Sequence, residues 1–132
     1  MKNIKLHSLS PNVIVDDVNK TVDYYVNNLG FNFITSVPQE GSYNWAMVMR
    51  DQVTVMFQSL QSLQEDLPEL KIKQKGSIGT FFIEVDNIEG LYQSMKDKVT
   101  ILGKIRVTFY GKKEFTIQDL NGYFLTFAED VA

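Results

Sequence analysis

Residues 13–31, VIVDDVNKTVDYYVNNLGF, and residues 83–97, IEVDNIEGLYQSMKD, open the same way seventy positions apart. Each starts with an apolar strand-like run, passes through an Asp or Asn able to cap a helix, and continues with apolar residues at helical spacing. A helix with one apolar stripe must bury it on a sheet, so a chain that repeats this unit is confined to two sheet-plus-helix modules packed together.

In the first half, Leu9, Val13 and Val15 alternate with Ser10, Asn12 and Ile14, which gives the strand two unlike faces. Asp17 is the expected cap, Val18, Val22, Tyr25, Val26 and Leu29 form the stripe, and Gly30 supplies a left-handed stop. Strands are predicted over residues 31–37, 43–50 and 53–58, with turns at PQEGS and RDQ. The second half repeats the order. Phe81, Ile83 and Val85 form a strand face, Asn87 is the cap, and Ile88, Leu91, Tyr92 and Met95 make the stripe. Its strands are predicted over residues 99–109, 113–118 and 123–128. The expected fold class is α+β: two tandem βαβββ modules whose sheets form a cup. They make one domain, with module 1 over about residues 8–58, a linker over about 59–76 and module 2 over about 77–129. Ser62 and Glu65 have capping-box spacing, so the linker is expected to hold one short helix.

Composition removes several function classes. A net charge of -3 with scattered Lys and Arg gives no footprint for nucleic acid. The absence of cysteine excludes a thiol nucleophile, a thiolate metal site and a disulfide framework. MKNIKLHSLS has no apolar leader segment, and no run reaches the roughly 18 apolar residues a membrane span needs, so no membrane association and a cytoplasmic location are expected. A serine nucleophile would lack an activating base, because the single histidine, His7, precedes the first strand.

A strand ending in V-x-D, a helix carrying an aromatic pair, and L-G-F are present as Val15, Asp17, Tyr24, Tyr25, Leu29, Gly30 and Phe31. Toward the C-terminus, IQDLNGYFLTF places Asp119, Asn121 and Gly122 between two strands. Together these resemble the vicinal oxygen chelate superfamily, the group of glyoxalases, bleomycin-resistance proteins and extradiol dioxygenases. The likeness runs from about Leu9 to Glu129. It implies a divalent metal held by His, Gln or Glu at four cup-facing strand positions. Those positions fall here on Ser10, on Thr54 or Met56, on Thr80 and on Thr126, none of them a good ligand. The expectation is therefore no metal, no cofactor and no catalytic residue, closest in character to the metal-free bleomycin-resistance-like branch.

Strand parity gives the expected cup lining. Ser10, Asn12, Thr54, Met56 and Gln58 come from the first module, and Thr80, Phe82, Glu84 and Thr126 from the second. Trp45, the sole tryptophan, is a candidate stacking platform at the mouth. Glu84 is the one carboxylate placed in the cup, either as a base or paired with a cation such as Arg106. This lining suits an unidentified amphipathic or aromatic small molecule. The resemblance further implies a homodimer. Two alternatives stand beside this reading: a lyase or isomerase of the lactoylglutathione-lyase type, and a non-catalytic scaffold with a filled cup.

Overall fold

The computed structural model describes residues 7–66 and 80–131. The linker expected over residues 59–76 therefore lies outside the described residues from 67 onward.

Module 1 runs β1 (Asn12–Val15), α1 (Val18–Leu29), β2 (Asn32–Val37), β3 (Trp45–Arg50) and β4 (Val53–Ser59). After α2 (Leu60–Asp66), module 2 repeats the order as β5 (Thr80–Glu84), α3 (Ile88–Met95), β6 (Thr100–Val107), β7 (Lys112–Gln118) and β8 (Phe124–Asp130). Each module makes its own four-stranded sheet, ordered β1-β4-β3-β2 and β5-β8-β7-β6. The first strand of each pairs parallel with the last, and the remaining pairs are antiparallel. Val13 sits opposite Phe57, and Ile83 opposite Phe127, so the seventy-position repeat holds in strand register as well as in sequence.

Local chemistry sets the helix ends. Asp17 accepts from Lys20 N at 2.9 Å and Asn87 from Gly90 N at 3.1 Å, each satisfying an otherwise orphaned helical amide. Gly30 closes α1 at φ 76°, and Arg50 Nη1 donates to Leu29 O, one of the last carbonyls of that helix. The cap of α2 differs from expectation. Ser59 Oγ accepts from Ser62 N, so the helix starts one turn before the predicted Ser62 cap, because β4 runs straight into it.

Alternation along the strands separates two faces. Val13, Val15, Ala46, Val48, Val55 and Phe57 are buried under α1, and Phe115, Ile117, Leu125 and Phe127 under α3. These two sets belong to one continuous apolar core, so the modules meet through their helix-bearing sides.

Candidate functional site

The sheet faces turned away from the helices carry the residues expected to line the cup. On the first sheet, Asn12 is level with Met56, Ile14 and Trp45 with Gln58, and Met49 with Thr54. Trp45, Thr54 and Met56 are half-buried, as is Ser10 just before β1. The two amides expected to orient a ligand are engaged with their own chain. Asn12 Nδ2 donates to Gln58 Oε1 at 2.8 Å, and Gln58 Nε2 donates to Ser62 Oγ at 2.9 Å and Asp66 Oδ2 at 2.7 Å. That network ties β1, β4 and α2 together and satisfies the buried Gln58 amide.

On the second sheet, Thr80 is level with Phe124, Phe82 with Thr126, and Glu84 with Ala128. Thr80 and Glu84 are exposed, and Phe82 keeps 51% of its surface open. Glu84 pairs with Lys112 at 2.9 Å and not with Arg106. Lys112 also meets Asp130 at 2.6 Å and lies 6.0 Å from the Phe82 ring centroid. Its hydrogen bonds, first to Asp130 and then to Glu84, hold the ammonium pKa above its usual value.

Sequence reasoning missed a second carboxylate on this face. Glu114 stands opposite Ala128 in β7 and is only 2% exposed. It accepts from Tyr110 Oη at 2.5 Å and lies 3.4 Å from Arg106 Nη2. The hydrogen bond to this carboxylate raises the Tyr110 pKa. The signal was present: residues 113–118 alternate, and Glu114 shares parity with Thr116 and Gln118.

The ten expected residues thus fall into two groups, one on each sheet. Among the described residues no hydrogen bond or ion pair joins one group to the other. The positions that the resemblance implies for metal ligands do not fit a metal. Thr126 Oγ1 shares a 2.8 Å hydrogen bond with Thr116 Oγ1, and the remaining positions offer neutral hydroxyls or a thioether. Among the described residues no three His, Cys, Asp or Glu converge. His7 is exposed.

A different feature joins the modules. Tyr25, fully buried, donates to Asp119 Oδ2 at 2.7 Å, and Asn121 Nδ2 donates to Thr21 Oγ1 at 2.9 Å. Asp119 Oδ1 also accepts from Asn121 N and Tyr123 N, each at 2.9 Å, and Tyr123 Oη donates to Ile14 O at 2.8 Å. Burial, and then the Asp119 charge, push the Tyr25 hydroxyl well above its ordinary pKa of 10.0 and raise Tyr24 as well. Tyr25 of the first motif and the turn at Asp119 and Asn121 of the second therefore form one buried seam, with Tyr24 half-buried at its edge.

The Glyoxalase/Bleomycin resistance protein/Dioxygenase superfamily model matches residues 5–127. No curated protein matches the chain. Among solved structures, a superfamily member from Sphaerobacter thermophilus is 22% identical with a TM-score of 0.75, covering 96% of this chain and 98% of that one. The bleomycin-binding protein of Streptomyces verticillus, solved with copper(II)-bleomycin, is 19% identical with a TM-score of 0.66, covering 94% and 96%. A glyoxalase-related enzyme from Fulvimarina pelagi is 13% identical with a TM-score of 0.73, covering 95% and 89%. At these identities the structural likeness establishes the fold. No helix among the described residues is long and apolar enough to cross a membrane. With the repeated βαβββ module, the paired motifs meeting in one seam and a family match over nearly its whole length, the chain belongs to the Glyoxalase/Bleomycin resistance protein/Dioxygenase superfamily.

Proposed function

We propose that this protein binds an amphipathic or aromatic small molecule on its outer sheet faces without a metal, as a cytoplasmic homodimer. The observation that carries the reading is the contrast on those faces. The positions that the resemblance implies for metal ligands bear hydroxyls or a thioether, Thr126 already bonded to Thr116, and Trp45, Met56 and Phe82 offer aromatic and polarizable surface to a ligand. The Streptomyces verticillus relative, which binds bleomycin, supports binding as the activity.

Layer packing supports the dimer. A sheet with an apolar face needs a covering layer, and the faces bearing Met49, Phe82 and Leu102 are open in a single chain. A second copy would cover both faces and enclose a site between subunits.

The test is a thermal-shift screen with divalent metals, bleomycin-type glycopeptides and aromatic metabolites, paired with light scattering for molecular mass. An aromatic ligand should raise the melting temperature, since binding to the folded state alone stabilises it by mass action. Trp45→Ala or Phe82→Ala should remove that shift. The untagged protein should carry less than about a tenth of an equivalent of Zn, Ni, Mn or Fe. Stabilisation by a metal alone, with turnover of a hemithioacetal substrate, would overturn the reading in favour of a lyase.

A further inference from the structure

A cleft of about 730 Å³ lies between the modules, on the opposite side of the molecule's internal repeat from the seam. Of the ten residues expected to contact ligand, only Glu84 lines it. Its origin can be traced position by position through the seventy-residue repeat. On the sealed side, Tyr123 reaches across to Ile14 and Tyr24 packs beside Tyr25. Their counterparts at the cleft are Val53 and Ser94, both too small to cross the gap. Tyr25, which anchors the seam to Asp119, is replaced by Met95, and Lys20 by Gly90. The connection that seals one side spans residues 119–123, between β7 and β8, while its counterpart between β3 and β4 spans only residues 51–52. The repeat thus bridges one inter-module junction, leaving only a smaller recess of about 400 Å³ beside Tyr24 and Asp119, and leaves the other open.

We propose that this open junction is a second binding site, separate from the sheet faces, for a small organic cation with an aromatic or alicyclic body. Size and lining favour a small molecule: the volume lies within the ~300–1,000 Å³ typical of ligand pockets. The walls are Leu29, Phe31, Ile83, Met95 and Phe127, an apolar floor for a ring system. The rim sets the charge. Among the described residues that line the cleft, Asp51, Glu84 and Asp86 are joined by one cation, Arg50, whose guanidinium is engaged with Leu29 O at 2.7 Å. Glu84 is paired with Lys112, and no described residue pairs with Asp51 or Asp86. An ammonium group entering with its ring inward would meet those two carboxylates, whereas a carboxylate ligand would meet them as like charge, offset by an Arg50 already engaged at Leu29 O.

The experiment uses the full chain and two probes that share an indole ring but differ in charge, tryptamine and indole-3-acetate, titrated by calorimetry and amide NMR. Tryptamine should bind with Kd tighter than about 1 mM. Indole-3-acetate should bind at least about tenfold more weakly. Ser94→Tyr, which places at the cleft the ring its counterpart Tyr24 supplies on the sealed side, should abolish tryptamine binding. Ser94 is exposed on α3, so the fold should tolerate the change, and an unchanged melting temperature would verify this. Asp51→Asn with Asp86→Asn should weaken tryptamine about three- to tenfold at low salt. Phe82→Ala, on the sheet face, should leave it unaltered. Equal affinity for the two probes, retention of binding in a folded Ser94→Tyr variant, no binding by the unaltered chain, or loss in Phe82→Ala would each overturn the proposal. Phe82→Ala separates this site from the one on the sheet faces, so either can fail alone.

Discussion

Removing the Asp119 carboxylate should be among the most damaging single changes in the molecule. Asp119 is buried and accepts three hydrogen bonds, from Tyr25 Oη, Asn121 N and Tyr123 N. In Asp119→Ala all three donors lose their partner at the seam between modules. A buried donor left unsatisfied costs about 1–3 kcal/mol, and water entering at the turn can recover part of the two amide losses, so the sum is about 3–5 kcal/mol. For a chain of this size that corresponds to roughly 10–15 °C in melting temperature. Tyr25→Phe removes one of the three bonds and leaves the carboxylate its two amides, at a cost of about 1.5–2.5 kcal/mol. The double variant should fall short of the sum of the two by about 1 kcal/mol or more, because both single changes break the same bond. Alkaline pH offers an independent check. The Tyr25 hydroxyl is raised above 10.0 in the folded state, first by burial and then by Asp119, so the folded protein holds this proton more tightly than the unfolded chain. The associated stability is complete below pH 10 and is lost as pH rises past it toward the folded value. Urea unfolding followed by circular dichroism at pH 7 and through the alkaline range tests both effects. Destabilisation by Asp119→Ala of less than about 1 kcal/mol, or an alkaline decline just as steep in Tyr25→Phe, would refute the reasoning.

Gly30→Ala should lose about 1–2 kcal/mol, because Gly30 sits at φ +76° and a Cβ there would lie 2.9 Å from Arg50 Nη1, disturbing its bond to Leu29 O; chemical denaturation measures it. Two substitutions on the helix-facing side of module 2 should differ. Leu125→Ala, at a fully buried position, should cost about 2–5 kcal/mol. Ile83→Ala, half-buried at the wall of the open cleft, should cost about 1–2 kcal/mol, since part of its surface already faces solvent. Equal losses at the two sites would show that the cleft is closed in solution.

Much of this architecture was legible in the sequence because it depends on local chemistry. Asp17, Asn87 and Gly30 act where their residue types predict, and strand alternation correctly sorted Val55 and Phe57 from Thr54 and Met56. What the sequence hid depends on neighbours distant along the chain. Asn12 and Gln58 looked like free polar groups until α2 brought Ser62 and Asp66 against them. Glu84 looked like a partner for Arg106, but a register shift between Leu102 and Arg106 sets Arg106 level with Glu114, while Lys112 reaches Glu84. The open cleft could not be found by scoring either half alone. It appears when Tyr123 is read against Val53, and Tyr24 against Ser94, as a difference between copies.

That difference bears on what a family motif can report in this chain. Tyr25 of the first motif and Asp119 of the second bond to each other, with Asn121 on Thr21 beside them. These residues are constrained by the need to satisfy buried polar groups where the modules join. Substituting any of them is a structural event, so their presence certifies the fold and is indifferent to chemistry. Residues free to specialise lie where the seam's hydrogen bonds do not reach. One such place is the outer sheet faces, where Thr126 stands at a position the family resemblance implies for a metal ligand, and another is the second junction, where a short turn and small side chains replace the bridging residues. A duplicated module can hold its halves together at one junction while the other acquires a separate use, because a single buried network and a continuous core already fix the modules against each other.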